Sequence, residues 1–147
     1  MNSSSSIKLR ALLDTNVFIY AFEVSKSNSN HILNALNQNQ FEAIITESTF
    51  KEVYQYFRKH YSKKLADQYR IYLFTTCRIV FSHQLQQHFR KYTDQISGKD
   101  IEQLTATREF GIKYLVSHDK HFSDVEEYRT PKQFAKILKL PTHSTNY

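Results

Sequence analysis

A chain of 147 residues is long enough to bury one proper core and too short for two ordinary domains. Apolar residues make up 40% of it along its whole length, which excludes disorder, and only two glycines and two prolines exclude a sandwich of many tight turns. The formal charge of +6 favours a polyanionic partner such as nucleic acid, while the single cysteine, Cys77, excludes an internal disulfide and a thiolate zinc cluster.

In chain order, Met1-Asn2-Ser3-Ser4-Ser5-Ser6 carries serines where a signal peptide needs an apolar stretch. Residues 1–6 therefore read as a disordered tail before one domain spanning 7–147. Leu9 to Leu13 is a buried strand ending at Asp14-Thr15-Asn16, and Val17 to Phe22 is a short apolar helix. Ser29 to Gln38 is a second helix with Ile32, Leu33 and Leu36 on one face. Phe41 to Thr46 is the next strand, and Glu47 to Arg58 follows as a helix with Phe50, Val53, Tyr54 and Phe57 at helical spacing. Leu65, Tyr69, Tyr72 and Leu73 mark another amphipathic helix, Cys77 to Phe81 a strand, and Leu85 to Tyr92 a helical segment.

Asp100 opens a helix that runs to Phe110 and stops at Gly111, the expected left-handed cap. Tyr114 to Ser117 is a strand broken by His118-Asp119-Lys120-His121, and Glu126 to Arg129 is a short strand. Thr130-Pro131 caps and begins a last helix through Leu140. Strands alternating with helices predict a three-layer α/β/α domain on a mostly parallel sheet of about five strands. No apolar run reaches the roughly 20 residues of a bilayer crossing, so no membrane partner is expected. Cys77, read as a small buried hydrophobe, suits the reducing cytoplasm.

Sites in such sheets lie beyond the carboxyl ends of strands, at a topological switch point. Asp14 and Asp119 each sit where a strand has just ended. Asp100 opens the helix before the second of these strands, and Glu52 lies about a turn and a half into the helix after another strand. Singly, each acid has a plain explanation: a helix cap, a dipole partner, a turn former or a solvated pair. Together they form a cluster that repels itself unless protonated or neutralised by cations, and all-oxygen ligation suits Mg²⁺ or Mn²⁺.

Leu12-Leu13-Asp14-Thr15-Asn16 resembles the opening motif of PIN domains. Ile44 to Val53 resembles the second motif, with Glu52 as its acid, and Asp100 to Ala106 resembles the third. Leu115 to Phe122 is similar to the fourth, around Asp119, and Arg129 to Phe134 to the usual ending. His118, Thr105 and the missing proline of the second motif depart from the common pattern without removing a carboxylate. The resemblance implies a divalent-metal-dependent endoribonuclease and makes VapC-type toxins, restrained by an antitoxin and expected as homodimers, the familiar relatives. It assigns Asp14, Glu52, Asp100 and Asp119 to catalysis and metal binding. Asn16 and Ser117 then hold ligands or waters in place, or serve as turn formers.

Tyr54 to Lys64 interleaves aromatics with Arg58, Lys59, Lys63 and Lys64, which either track RNA phosphates or form a solvated helix end with its aromatics inward. His118 and His121 flank Asp119 and suggest zinc, but without a cysteine cluster or an HExxH helix one solvated or phosphate-facing histidine is expected instead. Tyr20, Phe22, Phe50, Phe57, Phe74 and Phe110 are expected in the core, or some of them at a subunit or antitoxin interface. A haloacid-dehalogenase-like phosphatase needs a second Asp where Asn16 stands, which excludes that chemistry. The remaining alternative is a non-catalytic PIN-like module that binds RNA or a protein.

Overall fold

Ala11, Leu12 and Leu13 are apolar without alternation and fully buried, as a strand covered on both faces requires. In the computed structural model, which describes residues 8–98 and 100–147, they belong to β1 (Arg10–Leu13). The chain continues through α1 (Thr15–Glu23), α2 (Asn28–Asn37), β2 (Glu42–Thr46), α3 (Glu47–His60), α4 (Lys63–Thr76) and β3 (Cys77–Val80). A single turn, α5 (Ser82–Leu85), precedes α6 (Asp100–Glu109), β4 (Tyr114–Val116), β5 (Tyr128–Arg129) and α7 (Pro131–Ile137). The five strands are all parallel in the order β3-β2-β1-β4-β5, with Leu12 beside Ile44 on one flank and Leu115 on the other. The expected tail, residues 1–6, lies outside the described residues.

Alternation along the strands divides the core into two layers. Ala11, Leu13, Ala43 and Ile45 face a cluster built with α1, α2, α3, α4 and α7, centred on Phe18, Phe57 and Phe134. Leu12, Ile44 and Leu115 face Leu85, Leu104, Ala106 and Phe122 on the opposite side. This is the predicted three-layer arrangement.

Several boundaries differ from the sequence reading for local reasons. α1 begins at Thr15, not Val17, because the Asp14 side chain accepts the Thr15 N–H at 2.8 Å and caps the helix two residues early. The segment predicted as Leu85 to Tyr92 is the α5 turn followed by a 3₁₀ stretch, Gln86–Lys91, and Gln84 Oε1 accepts the Phe81 N–H at 2.9 Å to start it. α7 stops at Ile137 rather than Leu140. Lys139 turns left-handed (φ 61°) and the Leu140 N–H returns to the Ala135 carbonyl at 2.9 Å. Gly111 (φ 60°) ends α6 as predicted.

The aromatic expectation needs correction. Phe57 is fully buried and stacks on Tyr69 at 4.1 Å, but Phe22, Phe74 and Phe110 are exposed. α4 packs against α3 rather than directly beneath the sheet, so Phe74 covers Phe50 edge-on and leaves its far side open. Cys77 is buried, as expected, and burial pushes its thiol pKa up to about 11. After α7 the chain folds back over the start of α2. The Asn28 side chain donates to the carbonyls of His143 and Thr145, and the Ser29 N–H donates to the Tyr147 carbonyl.

Candidate active site

The chain leaves β1 toward β2 on one flank while β4 occupies the other, so the carboxyl end of β1 is the switch point of the sheet. Asp14 is the first residue beyond it. Its own N–H donates to the Val116 carbonyl of β4 at 3.0 Å, which holds the turn against the neighbouring strand. Its Oδ1 accepts the Thr15 N–H, and its Oδ2 accepts the Ser117 hydroxyl at 2.7 Å. Only 8% of Asp14 is exposed. Burial raises its pKa above the ordinary 3.8; the Ser117 and Thr15 hydrogen bonds oppose that rise, and the charges of Glu52 and Asp100 add to it.

The other three acids arrive from different elements. Glu52 projects from the second turn of α3, where the Thr15 hydroxyl donates to its Oε1 at 2.6 Å. Asp100 opens α6 and faces the loop after β4. Asp119 caps a short 3₁₀ turn, Lys120–Phe122, accepting the His121 N–H at 2.9 Å and donating its own N–H to Ser117 Oγ at 2.9 Å. Asp14, Glu52, Asp100 and Asp119 line one open cleft of about 290 Å³, and no described residue lining it is a lysine or arginine. A larger groove of about 420 Å³, between α1, α2 and α4, is lined by residues such as Leu33, Tyr69 and Tyr72 and has no carboxylate.

Asn16 and Ser117 lie between the acids. Asn16 Oδ1 accepts the His118 N–H at 3.2 Å, joining the first turn of α1 to the loop that carries Asp119. Ser117 is fully buried and touches both Asp14 and Asp119. Arg58, Lys59, Lys63 and Lys64 stand apart at the exposed α3–α4 turn and do not line the cleft, with Lys63 paired to Asp67 at 2.8 Å. From Glu52 to Lys59 the helix advances about 10 Å.

Sequence reasoning missed Gln103, Thr49 and Tyr56, and named His121 without making it part of the acidic site. Gln103 follows Asp100 by three positions on the same helical face, which is the signal that was there to find. Its amide donates to Asp14 Oδ1 and Thr49 Oγ1, and its Oε1 is buried with no hydrogen-bond partner. Tyr56 lines the cleft one turn beyond Glu52. Its hydroxyl donates to Glu23 at 2.6 Å, and that bond raises its pKa to about 12. Of the two histidines, only His121 is solvated. His118 packs on Tyr20 and Tyr147 with Nε2 3.0 Å from Ser29 Oγ, and burial lowers its pKa to about 4. One exposed histidine therefore stands beside Asp119, and the returning end of the chain encloses the other.

Fold and site together define an α/β domain with an acidic cleft at the switch point of a parallel sheet. The chain belongs to the PIN domain family, whose pattern it matches over residues 10–121. No match was found among the curated proteins. Among solved structures, a toxin–antitoxin complex from Klebsiella pneumoniae is 19% identical with a TM-score of 0.65, covering 82% of this chain and 97% of its own. VapBC2 from Rickettsia felis, bound to a DNA fragment from its promoter, is 18% identical with a TM-score of 0.61, covering 83% and 98%. VapC20 from Mycobacterium tuberculosis, a toxin that cleaves the Sarcin-Ricin loop, is 15% identical with a TM-score of 0.59, covering 79% and 97%. At these identities the likeness is one of fold. Among the described residues, no helix is long and apolar enough to cross a membrane.

Proposed function

We propose that the chain is a divalent-metal-dependent endoribonuclease acting through Asp14, Glu52, Asp100 and Asp119. The observation that carries this reading is the convergence of four carboxylates on one cleft without a lining lysine or arginine among the described residues. Such a cluster favours either protonation or bound cations, and the raised pKa of Asp14 is the same repulsion and burial seen from one member. Oxygen donors of this kind fit Mg²⁺ or Mn²⁺.

When bound, one or two such ions would polarise a phosphodiester and lower the pKa of the water that attacks it. The chain's own part is positioning. Ser117 and the Thr15 N–H fix the Asp14 carboxylate, the Thr15 hydroxyl fixes Glu52, and Asn16 ties the loop of Asp119 to α1. Arg58, Lys59, Lys63 and Lys64 would hold RNA phosphates beside the cleft, positioning the strand without reading its sequence. By likeness to the Klebsiella and Rickettsia complexes, the reading extends to a toxin restrained by a cognate antitoxin; the family resemblance adds a homodimer in the cytoplasm.

The test is cleavage of labelled structured and single-stranded RNAs with Mg²⁺, with Mn²⁺ and with EDTA, beside Asp14→Asn and Asp119→Asn. Metal-dependent cutting by the unmodified chain alone supports the nuclease. Cutting that survives both substitutions would place the chemistry elsewhere, and RNA bound but never cut would favour a non-catalytic PIN-like module.

A further inference from the structure

His121 is mostly exposed (74% of its side chain), yet its ring is turned inward onto two of the four acids. Nδ1 lies 3.2 Å from Asp100 Oδ2 and 3.1 Å from Asp119 Oδ1. Donor atoms from the three residues fall within 4.8 Å of one another. A second recess, of about 530 Å³, shares Asp100 and Asp119 with the acidic cleft and adds His121 to them. In an octahedral ion site, bonds of about 2.1 Å place neighbouring ligands about 3 Å apart. The two nitrogen–oxygen spacings match that edge length.

A single imidazole nitrogen carries at most one hydrogen, so Nδ1 cannot donate fully to both carboxylates. As a ligand it instead turns its lone pair to a shared centre, with the hydrogen on Nε2. Resting on the metal-site reading above, we infer that His121 Nδ1 is a nitrogen ligand beside Asp100 and Asp119, biasing this site toward Mn²⁺ over Mg²⁺. Mg²⁺ is a hard ion that keeps its waters and favours oxygen, whereas imidazole suits transition-metal ions better. His118 does not compete for this role, because its Nε2 sits against Ser29 beneath Tyr147.

The test uses the full chain without a histidine tag, loaded with Mn²⁺ alone and, separately, with Mg²⁺ alone. Binding is followed by calorimetry, and pulsed electron paramagnetic resonance of bound Mn²⁺ reports any directly coordinated ¹⁴N. The expected result is a ¹⁴N modulation in the unmodified chain that is absent from His121→Ala. That variant should bind Mn²⁺ at least about tenfold more weakly while its Mg²⁺ affinity changes by less than about threefold. Mn²⁺ bound without ¹⁴N coupling, or equal Mn²⁺ affinity in His121→Ala, overturns the histidine ligand and leaves the carboxylate site standing. No Mn²⁺ binding by the unmodified chain, at concentrations that saturate simple carboxylate sites, overturns both.

Discussion

Replacing Asp14 with asparagine separates what this residue does for the fold from what it does for cations. Asparagine caps a helix as well as aspartate, so its oxygen can take the Thr15 N–H that Asp14 Oδ1 now accepts. Its amide nitrogen would then face Ser117 Oγ, which already accepts both the Asp119 N–H and the Asn16 side-chain amide, and one hydrogen bond worth on the order of 1 kcal/mol is lost. Against this stands the charge. Burial raises the Asp14 pKa in the folded chain, so the stability linked to that proton is full below 3.8 and is lost as pH rises through the folded value. At pH 7.5 without metal, ionised Asp14 opposes folding and asparagine does not, so the two chains should melt within a few degrees of each other. Metal at a hundredfold over its Kd stabilises a folded chain by about 2.7 kcal/mol, and for 147 residues that corresponds to about 9 °C in Tm. A tenfold loss of affinity in Asp14→Asn halves the rise to about 4–5 °C at the same concentration, and a hundredfold loss leaves about 1 °C. Thermal melts by circular dichroism, in EDTA and across a Mn²⁺ series, read both quantities. Equal metal-induced shifts in the two chains would refute Asp14 as a ligand. A metal-free loss of more than about 3 kcal/mol would refute the argument that its charge opposes folding.

Thr15→Val removes the donor to Glu52 Oε1 with little change in volume. Stability should fall by about 1 kcal/mol in urea melts and kcat/KM by about tenfold, with Thr15→Ser restoring most of both; an unchanged kcat/KM would show that Glu52 needs no positioning. Reversing Arg58, Lys59, Lys63 and Lys64 to glutamate should weaken binding of uncleaved RNA and flatten its salt dependence by a slope of about 0.7 for each phosphate no longer neutralised. Unchanged affinity at low salt would assign those residues to a solvated helix end. His118, with its pKa lowered to about 4, contributes stability that is complete above its usual 6.5 and is lost as pH falls through 4. Tm between pH 6.5 and 4 should therefore fall more steeply in the unmodified chain than in His118→Gln, and parallel curves would mean the ring is solvated.

Much of this fold is written in short-range patterns. Continuous apolar runs at Ala11 to Leu13 and Tyr114 to Val116 announce buried parallel strands, and Gly111 and the Thr130–Gln133 capping box mark helix ends within one turn. The four acids were legible because each sits at a fixed offset from one of those strands or helix starts. What escaped depends on groups far apart in sequence. His118 is buried by Tyr147, and its neutral state is set by a segment that returns after α7. Glu102 carries no local sign of burial, yet it is buried where the hydroxyls of Ser48 and Ser82 both donate to it. The exposed face of Phe74 follows from α4 packing on α3, a choice that helical periodicity alone does not encode.

The charge is arranged against its own sum. A chain with net +6 keeps its basic cluster at the α3–α4 turn and gathers four carboxylates at the switch point, about 10 Å away along α3. That separation is close to one Debye length at physiological salt, so screening weakens the interaction between the two regions without abolishing it. On the proposed nuclease reading, RNA would be drawn to the turn by charge, and the cleft would repel it until cations neutralised the acids. Binding and cleavage would then respond to different variables, the first to salt and the second to divalent metal. Asp14, Ser117 and Gln103 are fixed by the same hydrogen bonds that close the sheet's central turn, so the acidic geometry is held before any cation arrives.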